Sequence, residues 1–143
     1  MIAGFPLLWT FTVPWADVDM LQHVNNVAYI RWIETIRCEY FTRVIGEPIN
    51  GEHGMILAQL DFAYEQQLRY HEEVTVGCSV SRIGNKSFDM TYEVWSNDHS
   101  YRAAHGKSVL VAYDFRAGHS IKVPDRWRSA IAAFEAGPPQ RYE

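Results

Sequence analysis

Between Asn25 and Gly46 the chain carries a helical apolar pattern too wide to lie on a protein surface. At 100° per residue, Val27, Ile30, Ile33, Phe41, Val44 and Ile45 share one broad face, and Tyr29, Ile36 and Tyr40 extend it. Arg31, Thr35, Glu39 and Thr42 occupy the narrow polar strip that is left. The helix begins at Asn25 or Asn26, a residue type that caps helix N-termini, and stops at Gly46 and Pro48. Such a helix has to be wrapped by other structure.

The rest of the chain supplies the wrapping. Pro6 to Val13 has the aromatic and β-branched content of a strand, ended by Pro14. Four further strands are predicted at about Met55 to Gln67, Val74 to Ile83, Ser87 to Ser96 and Arg102 to Phe115. Gly84-Asn85 and Asn97-Asp98 carry turn chemistry between the last three, which makes hairpins and a largely antiparallel sheet. Pro124 opens a short helix over Asp125 to Phe134, followed by a frayed Gly-Pro-Pro tail. The expected architecture is α+β, one long central helix beside a five-stranded, mostly antiparallel sheet. At 143 residues, 48% of them hydrophobic, the chain fills one sizeable core, so residues 1–143 read as a single domain.

A net charge of −4, without a Lys/Arg block or a long apolar run, argues against nucleic acid and membrane partners. Met1 to Phe5 lacks the basic start of a secretion signal, which points to a cytoplasmic protein. Cys38 and Cys78 lie inside predicted elements and read as reduced, buried thiols. His53, His99, His105 and His119 show no metal-ligand spacing, and no metal or cofactor is expected. Glu34 and Arg37 fall inside the apolar arc at i,i+3, as a structural ion pair near a subunit contact.

The chemistry is concentrated just before the helix, in Trp15-Ala-Asp-Val-Asp-Met-Leu-Gln-His-Val-Asn-Asn-Val-Ala-Tyr29. Two carboxylates, an imidazole and two carboxamides end where a helix N-terminus can stabilise developing negative charge. The pattern Asp17-x-Asp19-x-x-x-His23-Val-Asn-Asn26-x-x-Tyr29, continued by Trp32-Ile-Glu34-x-x-Arg37, resembles the N-terminal signature of hotdog-fold thioesterases. Within that superfamily it is similar to acyl-CoA thioesterases related to 4-hydroxybenzoyl-CoA thioesterase. It also resembles plant acyl-ACP thioesterases, which share the His-Val-Asn-Asn run. Weaker matches follow at the strand ending near Tyr64, at Lys86-Ser87-Phe88, at Val109 to Asp114 and at Val123-Pro124.

The resemblance implies a hotdog fold, a helix embraced by a curled sheet, and hydrolysis of a thioester carried on CoA or an acyl carrier protein. It casts Asp19 as nucleophile or general base, with N–H groups around Asn26 polarising the carbonyl. His23 matches an active-site His of the plant enzymes; its alternative is a loop His that caps the helix or bonds a carbonyl. One of Asn25 and Asn26 caps the helix and the other is left as a ligand to substrate or water. Asp17 braces the loop. Lys86 and Ser87 match a strand start that borders the nucleotide in related enzymes, and Arg82 precedes the same turn. These three are the expected contacts to the phosphates of coenzyme A. Glu65, His71 and Glu72 follow Tyr64 in a segment expected to reach the site across an interface.

The chain departs from its relatives in three places. Leu21 stands where the plant enzymes have Asn, Gln67-Leu68 where they have Glu-Cys, and Asn26 where the bacterial Tol-linked branch has His. The expected mechanism therefore leans on Asp19 and the helix terminus. The family also implies a homodimer or homotetramer with the substrate channel along its interface. Two readings compete with an acyl-CoA thioesterase. One is a non-catalytic hotdog module that binds acyl-CoA or an acyl carrier. The other is a hydratase, for which the Asp19 to His23 spacing is too short.

Overall fold

The computed structural model describes residues 2–142. Strand β1 (Leu7–Thr12) leads through a 3-10 turn at Trp15–Asp17 to helix α1 (Asn26–Tyr40), which continues as a π-helical turn over Phe41–Ile45. Then come β2 (His53–Tyr64), β3 (Glu73–Ile83), β4 (Ser87–Ser96), β5 (Tyr101–Asp114), the short β6 (His119–Ser120), α2 (Asp125–Ala136) and β7 (Gln140–Tyr142). The helix ends where Gly46 turns left-handed at φ +82°, a conformation that favours glycine.

The sheet runs in the order β2-β5-β4-β3-β1-β7, with β6 paired to β5. It has seven strands where five are predicted from the sequence. The two additions, β6 and β7, are two and three residues long. The tail does not fray: Leu7 to Trp9 pair with Gln140 to Tyr142 in parallel. Tyr142 stacks on Trp9 at 5.9 Å, and the Arg43 guanidinium lies 4.7 Å from its ring centre. Aromatic and cation–π contact holds a strand there that local propensity does not specify.

Helix α1 is wrapped as expected. Ala28, Tyr29, Trp32, Ile33, Ile36 and Tyr40 are buried against Val74, Val76 and Cys78 of β3 and Phe88, Met90, Tyr92 and Val94 of β4. Helix α2 closes the far end through Trp127 and Ile131. Two expectations are corrected. Val27, assigned to the apolar face, is 63% exposed in the first turn of α1. Cys38 is only half-buried, whereas Cys78 is fully buried; both are free thiols. The expected Glu34–Arg37 ion pair is present at 3.6 Å, with Arg37 buried and also donating to the Tyr92 hydroxyl at 3.3 Å, and with Glu34 largely exposed.

Gly106 of β5 sits in register between Phe62 of β2 and Tyr92 of β4. A Cβ there would lie 2.3 Å from the Phe62 ring and 2.6 Å from the Asp61 carbonyl oxygen, so glycine is what allows β2 to close on β5. Gly106→Ala is expected to cost about 1–3 kcal/mol as overpacking, read as a lower urea midpoint at unchanged m-value. An unchanged midpoint would show that β2 yields freely at this position.

Candidate active site

The segment before α1 is a small hairpin. Val18 and Val24 form an antiparallel bridge, the Asp19 N–H donates to the His23 carbonyl at 3.1 Å, and the Gln22 N–H returns to the Asp19 carbonyl at 3.0 Å. Gln22 takes the tight bend at φ +66°. The Asp19 carboxylate locks the turn, accepting from the Leu21 N–H at 2.9 Å through Oδ1 and from Asn25 Nδ2 at 3.3 Å through Oδ2. A short acceptor side chain is what this turn needs, so Asp19 has a structural task besides any chemical one.

Asp17 anchors the loop from below. Its buried carboxylate accepts from Arg31 at 2.8 Å and from the Trp32 indole at 2.9 Å, and its carbonyl accepts from the Asn25 N–H. The helix cap is Asn25, whose Oδ1 accepts from the Val27 N–H at 2.8 Å. That leaves Asn26 as the exposed member of the pair, first residue of α1. Among the described residues the Asn26 N–H has no acceptor, and it stands at the positive end of the helix dipole.

Asp19, His23 and Asn26 open onto one cleft of about 760 Å³. Leu21, Val24, Tyr29, Tyr64, Glu65, Gln66, Gln67, Arg69 and Tyr101 complete its wall. The Tyr64 hydroxyl donates to the Asn26 carbonyl at 3.0 Å, tying β2 to the start of the helix, and the Tyr101 hydroxyl donates to the Gln67 carbonyl at 2.8 Å. Burial pushes the Tyr29 phenol well above its ordinary range, so it stays protonated. The His23 imidazole makes no hydrogen bond to the described residues and caps nothing. Of the cleft's two carboxylates, Glu65 is engaged elsewhere. Hydrogen bonds from Arg102 and then His105 hold it down to about 2, and its oxygens lie 2.6 to 3.1 Å from them. Asp19 is the carboxylate left to meet a ligand.

Glu65 lines this cleft within the same chain, so no interface is needed to bring it there. Glu72 instead lies buried beneath, where its carboxylate accepts from the Arg69 N–H and from Ser96. Arg69, Gln66, Tyr64 and Tyr101 are cleft residues that sequence reasoning does not single out. Tyr64 ends β2 and Tyr101 opens β5, while Gln66 and Arg69 follow β2 in a loop fixed by bonds from the Gln66 N–H to the Ala103 carbonyl and from the Arg69 N–H to Glu72.

Arg82, Lys86 and Ser87 are not brought to the cleft. They sit at the β3–β4 turn, the end of β3 opposite Glu73, roughly 30 Å away along the strand. Arg82 faces Asp89 at 3.9 Å, which Lys107 also approaches at 3.2 Å. At the same end of the sheet, Glu52, His53 and Asp114 bring ligand-type atoms within 4.8 Å of one another. Their separation in the chain hides this grouping from any spacing argument. Two backbone N–H groups, of Arg116 and Ala117, already occupy Asp114 Oδ1.

Residues 13–131 match the family described as the thioesterase-like superfamily, a span that contains every residue of the cleft. The chain belongs to that superfamily. A thioesterase from Thermus thermophilus, crystallised with coenzyme A and Zn, is 30% identical, with a TM-score of 0.84 over 96% of this chain and 99% of that one. A predicted thioesterase from Bacillus stearothermophilus is 26% identical, with a TM-score of 0.77 over 93% and 99%. The uncharacterized protein YsmA of Bacillus subtilis shares 22% identity over 120 residues, 84% of this chain and 81% of its own. The fold is the hotdog fold of these thioesterases, and thioester hydrolysis is the reaction class that membership assigns. In this thioesterase no helix among the described residues is long and apolar enough to cross a membrane.

Proposed function

We propose that the protein hydrolyses an acyl-CoA thioester to a free acid and coenzyme A, with Asp19 as nucleophile or general base. The observation that carries this reading is the pairing, in one cleft, of an accessible carboxylate with an unpartnered helix N-terminal N–H. Attack on the carbonyl carbon, by Asp19 or by a water that Asp19 deprotonates, moves an electron pair onto the carbonyl oxygen. The Asn26 N–H receives that charge where the helix dipole favours it. Collapse then breaks the C–S bond and releases the CoA thiolate. If Asp19 attacks directly, the mixed anhydride is opened by water. His23, with its imidazole free, orients that water. Coenzyme A as the carrier draws support from the similar Thermus enzyme crystallised with it.

A second copy of the chain completes the site in this reading. Strand β2 is a sheet edge, and Val27, Ile56, Leu57 and Tyr64 beside it are exposed. Antiparallel pairing of two β2 edges carries the far end of the partner, with its Lys86 and Ser87, toward the cleft of the first protomer. The separation of about 30 Å within one chain then becomes proximity between chains.

The oxyanion role has a direct test. Asn25 lies at φ −65° and ψ 139°, the extended conformation required before proline, and the first position of a helix tolerates proline well. Asn26→Pro therefore deletes the N–H without breaking α1. Turnover is expected to fall about 10²–10³-fold at unchanged Tm. Turnover close to wild type would remove the Asn26 amide from the mechanism.

A further inference from the structure

Arg69 is the only Lys or Arg in the wall of the Asp19 cleft, and among the described residues it makes no ion pair. Six of the other arginines, in a chain where 17 acids face 13 bases, pair with a carboxylate. Neither carboxylate of the cleft pairs with Arg69: Glu65 is held by Arg102 and His105, and Asp19 accepts only from the neutral Leu21 N–H and Asn25 amide.

The backbone of Arg69 is, by contrast, firmly fixed. Its N–H donates to the buried Glu72 carboxylate at 2.6 Å. Glu72 is held in turn by Ser96 at 2.8 Å and His99 at 2.7 Å. The preceding Leu68 carbonyl accepts from the Val24 N–H at 2.8 Å, joining this segment to the Asp19 hairpin, and His71 two residues on is left-handed at φ +73°. A buried carboxylate thus fixes the backbone from which the exposed, unpaired Arg69 side chain reaches into the cleft wall.

We propose that Arg69 is the anion anchor of the cleft, binding a negatively charged oxygen of the substrate. This rests on the thioesterase reading above. The chemistry recognised is a phosphate or carboxylate oxygen, and a guanidinium binds either through paired N–H donors. An anionic substrate entering a cleft that holds the Asp19 carboxylate needs such a counter-charge. The oxygen belongs either to the phosphates of coenzyme A or to a second carboxylate on the acyl group.

Four esters distinguish the two sources: butyryl-CoA, glutaryl-CoA, and the butyryl and glutaryl thioesters of N-acetylcysteamine, which lack the phosphates. Arg69→Gln is expected to raise KM about ten- to hundredfold on the esters that carry the recognised anion, with kcat little changed. Arg69→Lys is expected to recover part of the loss. A penalty on both CoA esters alone assigns the phosphates; a penalty on both glutaryl esters alone assigns the acyl carboxylate. A penalty equal on all four, the neutral butyryl N-acetylcysteamine ester included, or absent from all, overturns the proposal. If wild type hydrolyses none of them, the failure lies with the reaction or the acyl group and not with Arg69. Calorimetric affinity for the same esters then judges Arg69: weaker binding of the anionic esters by Arg69→Gln supports the anchor, and unchanged binding overturns it.

Discussion

Replacing Asp19 by Asn is expected to lower turnover about 10²–10⁴-fold while leaving Tm where it is in wild type. The two halves of this result follow from two functions of one side chain. The carboxamide oxygen of Asn still accepts from the Leu21 N–H, so the turn that Asp19 locks survives. What is lost is the longer bond from Asn25 Nδ2 and the negative charge, and with the charge both the nucleophile and the base. Asp19→Ala removes the turn acceptor as well and is expected to lose activity and some loop order together. A variant Asp19→Asn that keeps wild-type turnover would show that the carboxylate acts only as a turn residue. Glu65 is poorly placed to substitute, because its oxygens are held by Arg102 and His105.

The largest loss of stability is expected at the opposite end of the helix, from Trp127→Ala. Trp127 is fully buried, edge-on to Phe41 at 5.6 Å and to Phe88 at 6.5 Å, and its indole N–H donates to Glu47 at 3.2 Å. Truncation leaves a large cavity beneath α2, for an expected cost of about 3–5 kcal/mol. Phe41 lies about 20 Å along the helix from Asn26, so turnover per folded molecule is expected to be unchanged. Urea denaturation gives the first number and active-site titration the second. A cost below about 1 kcal/mol would show that α2 is an appendage rather than part of the core.

What the sequence reveals and conceals follows the range of the interactions involved. The wrapped helix is legible because its apolar arc repeats every turn from Val27 to Ile45, and Gly46 marks its end. The hairpins are legible because Gly84-Asn85 and Asn97-Asp98 are local turn chemistry. Strand β7 is not, since Pro138-Pro139 signals a disordered tail and what holds Tyr142 is distant in the chain: the pairing with Leu7 to Trp9, the Trp9 ring and the Arg43 guanidinium. At the site, Asp19, His23, Asn25 and Asn26 are legible because one short segment carries them all. Arg69 and Tyr101 are illegible for the opposite reason, being joined to that segment through Leu68, Gln67 and Glu72 rather than through any motif. Arg82, Lys86 and Ser87 show the limit of a local match. Their local pattern matches, but the length of β3 holds them away from the cleft within one chain.

The most direct test is thiol release from purified wild-type protein, followed by a thiol-reactive dye, on a panel of short-chain, long-chain and aromatic acyl-CoA esters. Coenzyme A is expected to be released from at least one ester, saturably in substrate, and the release to fall about 10²–10⁴-fold in Asp19→Asn. Saturable binding of the same esters with no thiol released from any of them would contradict thioester hydrolysis and leave a hotdog module that holds acyl-CoA without cleaving it.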